Sequence, residues 1–431
     1  MQKTASSRIL NNYKEGIRSV MSRIIIVGAG AAGLMAAIHA GRAGAAVTVL
    51  EHNEKAGKKI YITGKGRCNC TNDCAPEEFL REVARNPRFL HSALRFFGPA
   101  DLKALLEQAG CPVTVQRGRR VFPSSEKASD VIRALVSACG AADVRILLHR
   151  EAEAVLIREN RAAGVRLTDG TELEADAVIL AAGGLSYPAT GSTGDGFRMA
   201  RALGHTVIPP LPSLTALETR EAWPRSLQGL SLRNVTLTLK EGKKTLYTEL
   251  GEMLFTHFGV SGPLVLEASC HLPEDVSGTA LLLDLKPGLT AEQVDGRLIR
   301  EFAAAGTKQV RTVLPALLPQ RLAALFPLLC GLPESLSCSQ VTASQRRRLA
   351  EGLKCLSLGI AARRPLSEAI VTRGGVSVRE INPSTMESRI CPGLYFAGEL
   401  IDVDAHTGGY NLQIAFSTGA LAGSSAAHCG L

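Results

Sequence analysis

Residues 23–51 read RIIIVGAGAAGLMAAIHAGRAGAAVTVLE, a strand, a glycine turn, a helix and a second strand. Ile24 to Val27 form an unbroken apolar, β-branched run, the pattern of a strand buried on both faces of a parallel sheet. The turn itself is GAGAAG. Gly28 permits the tight exit from the strand, Gly30 lets backbone approach a pyrophosphate, and Gly33 lets the helix lie against the strand; Ala29 and Ala32 are the small residues between them. The helix N-terminus offers unpaired N–H groups and partial positive charge to phosphates. Val47 to Leu50 make the second strand, and Glu51, eighteen positions after Gly33, is placed to accept from both hydroxyls of a ribose. A carboxylate there favours a free 2′-hydroxyl, as in FAD or NAD, over a 2′-phosphate.

A chain of 431 residues, 45% hydrophobic and 21% charged, has room for two or three globular domains. The balance of 49 Lys and Arg against 40 Asp and Glu gives a net charge of +9, which suits an anionic cofactor and an anionic small-molecule substrate. The densest basic groups are Arg117, Arg119 and Arg120, then Arg346 to Arg348, then Arg363 and Arg364. No aromatics interleave them for base stacking, so they read as solvated faces and nucleic acid is not the expected partner. Eleven cysteines, an odd count at irregular spacing, indicate reduced thiols in a cytoplasmic protein. Residues 1–20 lack the apolar core of a signal peptide and no run approaches membrane-spanning length. Residues 1–21 are expected to be a flexible extension, with Met21 an alternative start.

After Glu51 comes HNEKAGKKIYITGKGRCNCTN, a donor-rich loop placed to cover a ligand. Lys58, Lys59, Lys65 and Arg67 are candidates for stabilising negative charge on a bound ring, and Gly64 and Gly66 let backbone pass close to it. Cys68, Cys70 and Cys74 have neither the spacing of a zinc site nor that of a flavin-linked disulfide, so no metal is expected. Residues 77–116 read as helices, with Ser125 or Ser129 capping a further helix that runs to about Ala138. A small meander over 144–173 leads to Asp176–Ala182, another buried parallel strand. Gly183 and Gly184 then open a second glycine-rich loop, in which Thr190, Gly191, Gly194 and Asp195 supply small and polar contacts. Leu230 to Leu239 and Thr245 to Leu250 alternate as exposed antiparallel strands, and helical signals broken by Pro315, Pro319, Pro327 and Pro333 follow to about Leu353.

Near the end, Leu394 to Ala397 is a buried strand closed by Gly398 and Glu399, with Asp402 and Asp404 nearby as carboxylates for ribityl hydroxyls. Gly408, Gly409, Tyr410 and Asn411 open a helix whose N-terminus can aim N–H groups at the N1 and O2 edge of a flavin, favouring the anionic reduced ring. One glycine turn can hold only the AMP half of a long cofactor, so a distant strand end must hold the rest. That arrangement favours FAD as the tightly bound ligand. The expected fold class is α/β, a Rossmann-like domain over 22–205 and 371–431, interrupted by a β-rich substrate domain over 206–290 and about 354–370 and a helical insertion over 291–353.

The order of GAGAAG, GKGRCN, ATGSTGDG, GLYFAGE and TGGYNLQ resembles the flavoprotein family that includes 3-dehydro-bile-acid reductases and aminoacetone oxidase-like enzymes, from about residue 22 to 424. The resemblance implies an FAD domain of glutathione-reductase type with a β-barrel-like domain and a helical insertion. It carries a cofactor role onto Gly28, Gly30, Gly33, Glu51, Lys59, Arg67, Cys68, Asn69, Glu399 and Gly408 to Leu412; Ala29, Ala32, Gly66, Gly183 and Gly398 stand beside these as close backbone. The implied activity is reduction of a conjugated C=C, as in a 3-oxo bile acid, with electrons from transiently bound NAD(P)H. Oxidation of an amine such as aminoacetone by O2 is one alternative, and a flavin-bearing RNA-binding or RNA-modifying protein is another. Tyr187, His257, His406 and Tyr410 are the candidate proton donors by residue type and loop position.

Overall fold

Apolar runs far apart in the chain complete one sheet. The computed structural model describes residues 21–429, so the extension expected over 1–21 lies, Met21 apart, outside the described residues. In chain order come β1 (Arg23–Val27), α1 (Ala31–Arg42), β2 (Ala46–Leu50), α2 (Ala128–Ala141), β3 (Arg145–Leu147) and β4 (Ala177–Leu180). Next are β5 (Leu217–Thr219), β6 (Ser231–Glu241), β7 (Lys244–Phe255), β8 (Gly259–Ser261), α3 (Pro263–Cys270) and β9 (Thr279–Asp284). Then α4 (Ala291–Ala305), α5 (Gln320–Leu329) and α6 (Ala343–Lys354) precede β10 (Leu356–Arg363), and the chain returns through β11 (Leu394–Phe396) to α7 (Tyr410–Ala427).

The first and last parts of the chain share a parallel sheet ordered β11-β4-β1-β2-β3. Such a sheet is covered on both faces, which is why Ile24 to Val27 and Ala177 to Leu180 are buried without alternation. Between β4 and β11 the chain builds a closed six-stranded barrel, ordered β5-β8-β7-β6-β9-β10. The strands expected to be exposed face solvent on one side only. Leu237, Leu239, Leu281, Leu283, Leu358 and Ile360 point inward and form one core with the helices α4 to α6. Alternation marks a half-buried strand, and barrel closure supplies the buried half.

Three local expectations are corrected. Helix α2 starts at Ala128 behind Lys127 with no side-chain cap, while Ser125 Oγ accepts from the Lys127 N–H at 3.4 Å as a turn contact. Residues 113–116 form a strand, because Val113 to Gln116 pair with Arg120–Pro123. Pro327 lies within α5, and the other three prolines lie outside the long helices.

Helices α1 and α7 run parallel at backbone contact. A Cβ on Gly419 would sit 2.2 Å from Ala32 O, and one on Gly423 would sit 2.1 Å from Ala36 O. The pairing of 32 with 419 and 36 with 423 sets the stagger: α7 begins eight residues further out than α1, about 12 Å along the axis at 1.5 Å per residue. Substituting Gly423→Val should therefore wedge the helices apart at a cost of about 1–3 kcal/mol, seen as a lowered Tm. Gly288→Ala, where a Cβ meets nothing within 4 Å, should leave Tm unchanged.

Candidate active site

A cavity of about 570 Å³ opens at the carboxyl ends of β1, β2, β4 and β11, walled by Val27, Leu50, Ala181 and Ala397. In an open α/β sheet this is where ligands bind. The GAGAAG turn forms one end. Gly28 has φ +101° and a Cβ there would lie 2.6 Å from Ala181 O; a Cβ on Gly33 would lie 1.8 Å from Gly28 O. Gly30 has nothing within 4 Å of its Cβ position, so its open side faces the space a ligand would take. Ala29, Ala32, Gly183, Gly398, Asn411 and Leu412 also line the cavity.

The acids are more committed than their spacing suggested. Glu51 is buried; Oε2 accepts from the Ala29 N–H at 2.9 Å, and Oε1 accepts from Asn53 N at 2.9 Å and Asn53 Nδ2 at 2.7 Å. A carboxylate has about four acceptor sites, so Glu51 ties the glycine turn to the next loop and keeps about one site for a ribose. Glu399 accepts from Lys59 Nζ at 2.5 Å, Ser186 Oγ at 2.7 Å and Thr372 N at 2.7 Å. Burial pushes the Glu399 carboxyl up, but Lys59, Ser186 and Thr372 outweigh it and hold the pKa below the usual value. Asp402 and Asp404 stand outside the cavity wall. Asp402 is paired with Arg85 at 2.5 Å, and Asp404 accepts from Ser213 Oγ at 2.7 Å, because both are drawn into packing behind the wall.

The basic loop divides in the same way. Lys59 is neutralised by Glu399, Lys58 by Glu54 at 3.2 Å, and Arg67 pairs with Glu126 and lies over the Phe122 ring. Lys65 lines the cavity and has no salt-bridge partner among the described residues. Asn69 Oδ1 and Arg67 Nε, both on cavity-lining residues, are buried without a hydrogen-bond partner. Buried polar atoms in native proteins are nearly always satisfied, so these two fit a polar ligand.

At the far end, Gly408 and Gly409 have φ +127° and +99°, and a Cβ on Gly409 would meet the Thr71 backbone at 2.5 Å. Asn72 Nδ2 donates to Gly408 O at 3.2 Å, and Asn411 donates to Ala405 O at 2.7 Å while accepting from the Ala405 N–H at 2.9 Å. The start of α7 is thus clamped from both sides. Gly33, Gly66, Cys68 and Tyr410 do not line the cavity. Gly33 acts by packing, Cys68 is fully buried with its sulfur 3.8 Å from that of Cys70, and Tyr410 packs edge-on against Phe79. Of the four candidate proton donors only His406 is on the wall. Tyr187 is outside it, and His257 is exposed beside Phe258.

His406 meets the barrel. Its Nδ1 lies 2.6 Å from Glu267 Oε2 on α3, whose Oε1 accepts from the Thr407 N–H at 2.9 Å. Cys270 brings a third potential ligand atom within 4.8 Å of these two.

Residues 22–425 match the HI0933-like protein Rossmann domain. The chain belongs to the HI0933-like family. It is 32% identical over 412 residues to a 3-dehydro-bile acid delta(4,6)-reductase of Clostridium scindens, covering 94% of this chain and 99% of that protein. It is 33% identical over 406 residues to a ribosomal RNA dihydrouridine synthase of Haemophilus influenzae, covering 93% and 97%. Among solved structures, 3-ketosteroid-Δ4-(5α)-dehydrogenase from Rhodococcus jostii superposes with a TM-score of 0.51 at 16% identity over 96% of this chain and 98% of that one, a likeness of fold. By family and fold the chain is an FAD-dependent oxidoreductase. No helix among the described residues is long and apolar enough to cross a membrane.

Asn53, Asn72, Ser186, Thr372 and Glu267 are site residues that the motifs did not single out. Asn72 ends the GKGRCNCTN run and Asn53 bonds Glu51 two residues away, while Ser186, Thr372 and Glu267 join the site through tertiary contact. Replacing Lys59 by Met should cost about 2 kcal/mol or more at pH 7, because the inward Glu399 charge loses its partner. A carboxylate with a depressed folded pKa contributes stability above its unfolded pKa and loses it as pH falls. The gap to wild type should therefore still be open near the free Glu carboxyl value of 4.5 and close only as pH falls below it, through the depressed folded pKa of Glu399, in urea titrations at several pH values.

Proposed function

We propose that the chain holds FAD along this cavity and reduces a carbon–carbon double bond conjugated to a ring carbonyl. The stagger of α1 and α7 carries the reading: two helix N-termini facing one cavity, about 12 Å apart along their axes, suit a ligand with phosphates at one end and an electron-poor ring at the other. Gly28 to Ala32 would hold the pyrophosphate, Glu51 the ribose through its remaining acceptor site, and Gly408 to Leu412 the flavin edge. When bound, FAD supplies hydride transfer in either direction. The start of α7 and the unpaired Lys65 favour negative charge at that end. Leu214, Ile370, Val371 and Val403 give the cavity an apolar flank for a flat ring.

Both relatives' names describe the same change. A delta(4,6)-reductase saturates C=C bonds conjugated to a 3-oxo group, and a dihydrouridine synthase saturates the ring C=C of uridine beside a carbonyl. The first substrate reading is a 3-oxo bile acid or similar steroid enone, with NAD(P)H binding transiently as electron source. The second is a uracil ring within RNA, favoured by the net charge of +9 and by Lys65, Arg67 and Arg120 on the cavity wall. Nothing in the site favours amine oxidation.

The decisive measurement loads the protein with FAD, bleaches it anaerobically with NADH or NADPH, and mixes it with a 3-oxo-Δ4,6 bile acid, uridine-containing RNA, aminoacetone or oxygen. Rapid reoxidation by one of the first two, with a saturated product, is expected. Reoxidation by oxygen alone, or bleaching by aminoacetone, overturns the proposal. If RNA is the substrate, its binding should weaken steeply with salt, whereas a steroid's should not.

A further inference from the structure

The site described so far holds a cofactor and accommodates a ring, but saturating a C=C also needs a proton at the second carbon. We infer that His406 Nε2 delivers that proton and that Glu267 on the barrel is its positioning residue. This rests on the reaction proposed above. The balance is simple: the π bond breaks, one carbon takes a hydride from the reduced cofactor and the other takes the proton released by His406. The nicotinamide supplies the two electrons beforehand, and solvent reprotonates the imidazole.

The geometry selects His406 by elimination and by construction. Of the side chains able to donate a proton near the start of α7, Tyr410 points away to Phe79, whereas His406 lines the cavity. Its backbone N–H is fixed by Glu82 O at 2.9 Å and its Nδ1 by Glu267, so the ring has one orientation. Nε2 makes no hydrogen bond to the protein among the described residues and is not among the sealed polar atoms, so it is the nitrogen left for a ligand. On the other face the ring lies against His271, centroids 5.1 Å apart, and His271 stacks on Tyr247 at 5.0 Å with an interplanar angle of 19°. Both partners come from the barrel side, so the donor is assembled only when the barrel is docked.

Electrostatics agree with the geometry. Burial works against a charged imidazole, but the hydrogen bond and charge of Glu267, followed by Glu82 and Asp404, outweigh it and raise the His406 pKa above its usual value. His271 is the opposite case: burial, then the charge on His406, lowers it, so it stays neutral beside the donor. Cys270 next to Glu267 is kept a thiol by burial, and Arg373 faces Asp404 and His271 from the strand at Val371–Val376. A raised imidazole pKa means the acid form persists to higher pH than in a free imidazole and is lost as pH rises through that pKa.

The test uses the FAD-loaded protein, as wild type, His406→Gln and Glu267→Gln. Rapid mixing follows bleaching by NAD(P)H and reoxidation by the bile-acid enone and by uridine-containing RNA, and NMR follows the His406 imidazole titration. His406→Gln should slow reoxidation by about 10²–10⁴-fold, the range of general acid catalysis, a far larger loss than in the rate of bleaching. Glu267→Gln should lower the His406 pKa and shift the descending limb of the rate–pH profile to lower pH by the same amount. Reoxidation of His406→Gln at the wild-type rate overturns the assignment. So does a Glu267→Gln protein whose imidazole titration moves while its rate profile stays in place, a result that stands even if His406→Gln fails to retain FAD. If no alkene reoxidises the wild-type flavin, the reaction reading fails and the donor falls with it.

Discussion

Everything in the site depends on two helices touching without side chains between them. Gly419 and Gly423 of α7 rest on the carbonyls of Ala32 and Ala36 of α1, at distances where any Cβ would collide. Such contact fixes both the separation of the helices and their axial offset, because each glycine is keyed to one carbonyl. The offset then spaces the two N-termini along the cavity. Gly398 adds a third point of contact, its missing Cβ facing Ala32 at 2.8 Å while its N–H donates to Thr418 Oγ1 at 3.0 Å. The ends of the chain are thus locked into one rigid frame, with the barrel free to vary between them.

Within that frame the charges are spent on structure more than on ligand. Glu51 closes the glycine turn, and Glu399 gathers Lys59, Ser186 and Thr372 into one knot joining three segments. Neutralised pairs set shape without adding field. What remains to act on a ligand is the two helix termini, Lys65, Arg120, and the unpartnered atoms of Arg67 and Asn69. The site is therefore built to favour negative charge by dipoles and two cations, Lys65 and Arg120, on its wall.

The sequence made the frame legible and the knots invisible. GAGAAG, the apolar runs around Ile24, Val178 and Leu394, and the glycines before Tyr410 announce themselves because local sterics demand them. In the residue pattern the closed barrel showed only as alternation, which leaves open what covers the second face; the family resemblance is what implied a barrel. Asp402 and Asp404 look like ligand carboxylates by position, yet Arg85 and Ser213, which turn them into packing, lie 317 and 191 positions away in the chain. Glu267 carries no local signal at all. Its meaning comes from docking α3 against His406, 139 positions further along.

That division explains why one family can hold both a bile-acid reductase and an RNA-modifying enzyme. The parts proposed to carry a flavin come from the first and last parts of the chain and are fixed by backbone contact, so a change in them disturbs the frame. The apolar flank proposed to meet a substrate is formed by Leu214, Ile370 and Val371, of which Leu214 and Val371 pack on Cys270. A proton donor that bridges the two parts would satisfy both constraints. His406 sits on the frame's last loop, while Glu267, supplied by the barrel side, can tune it to whichever alkene the flank admits.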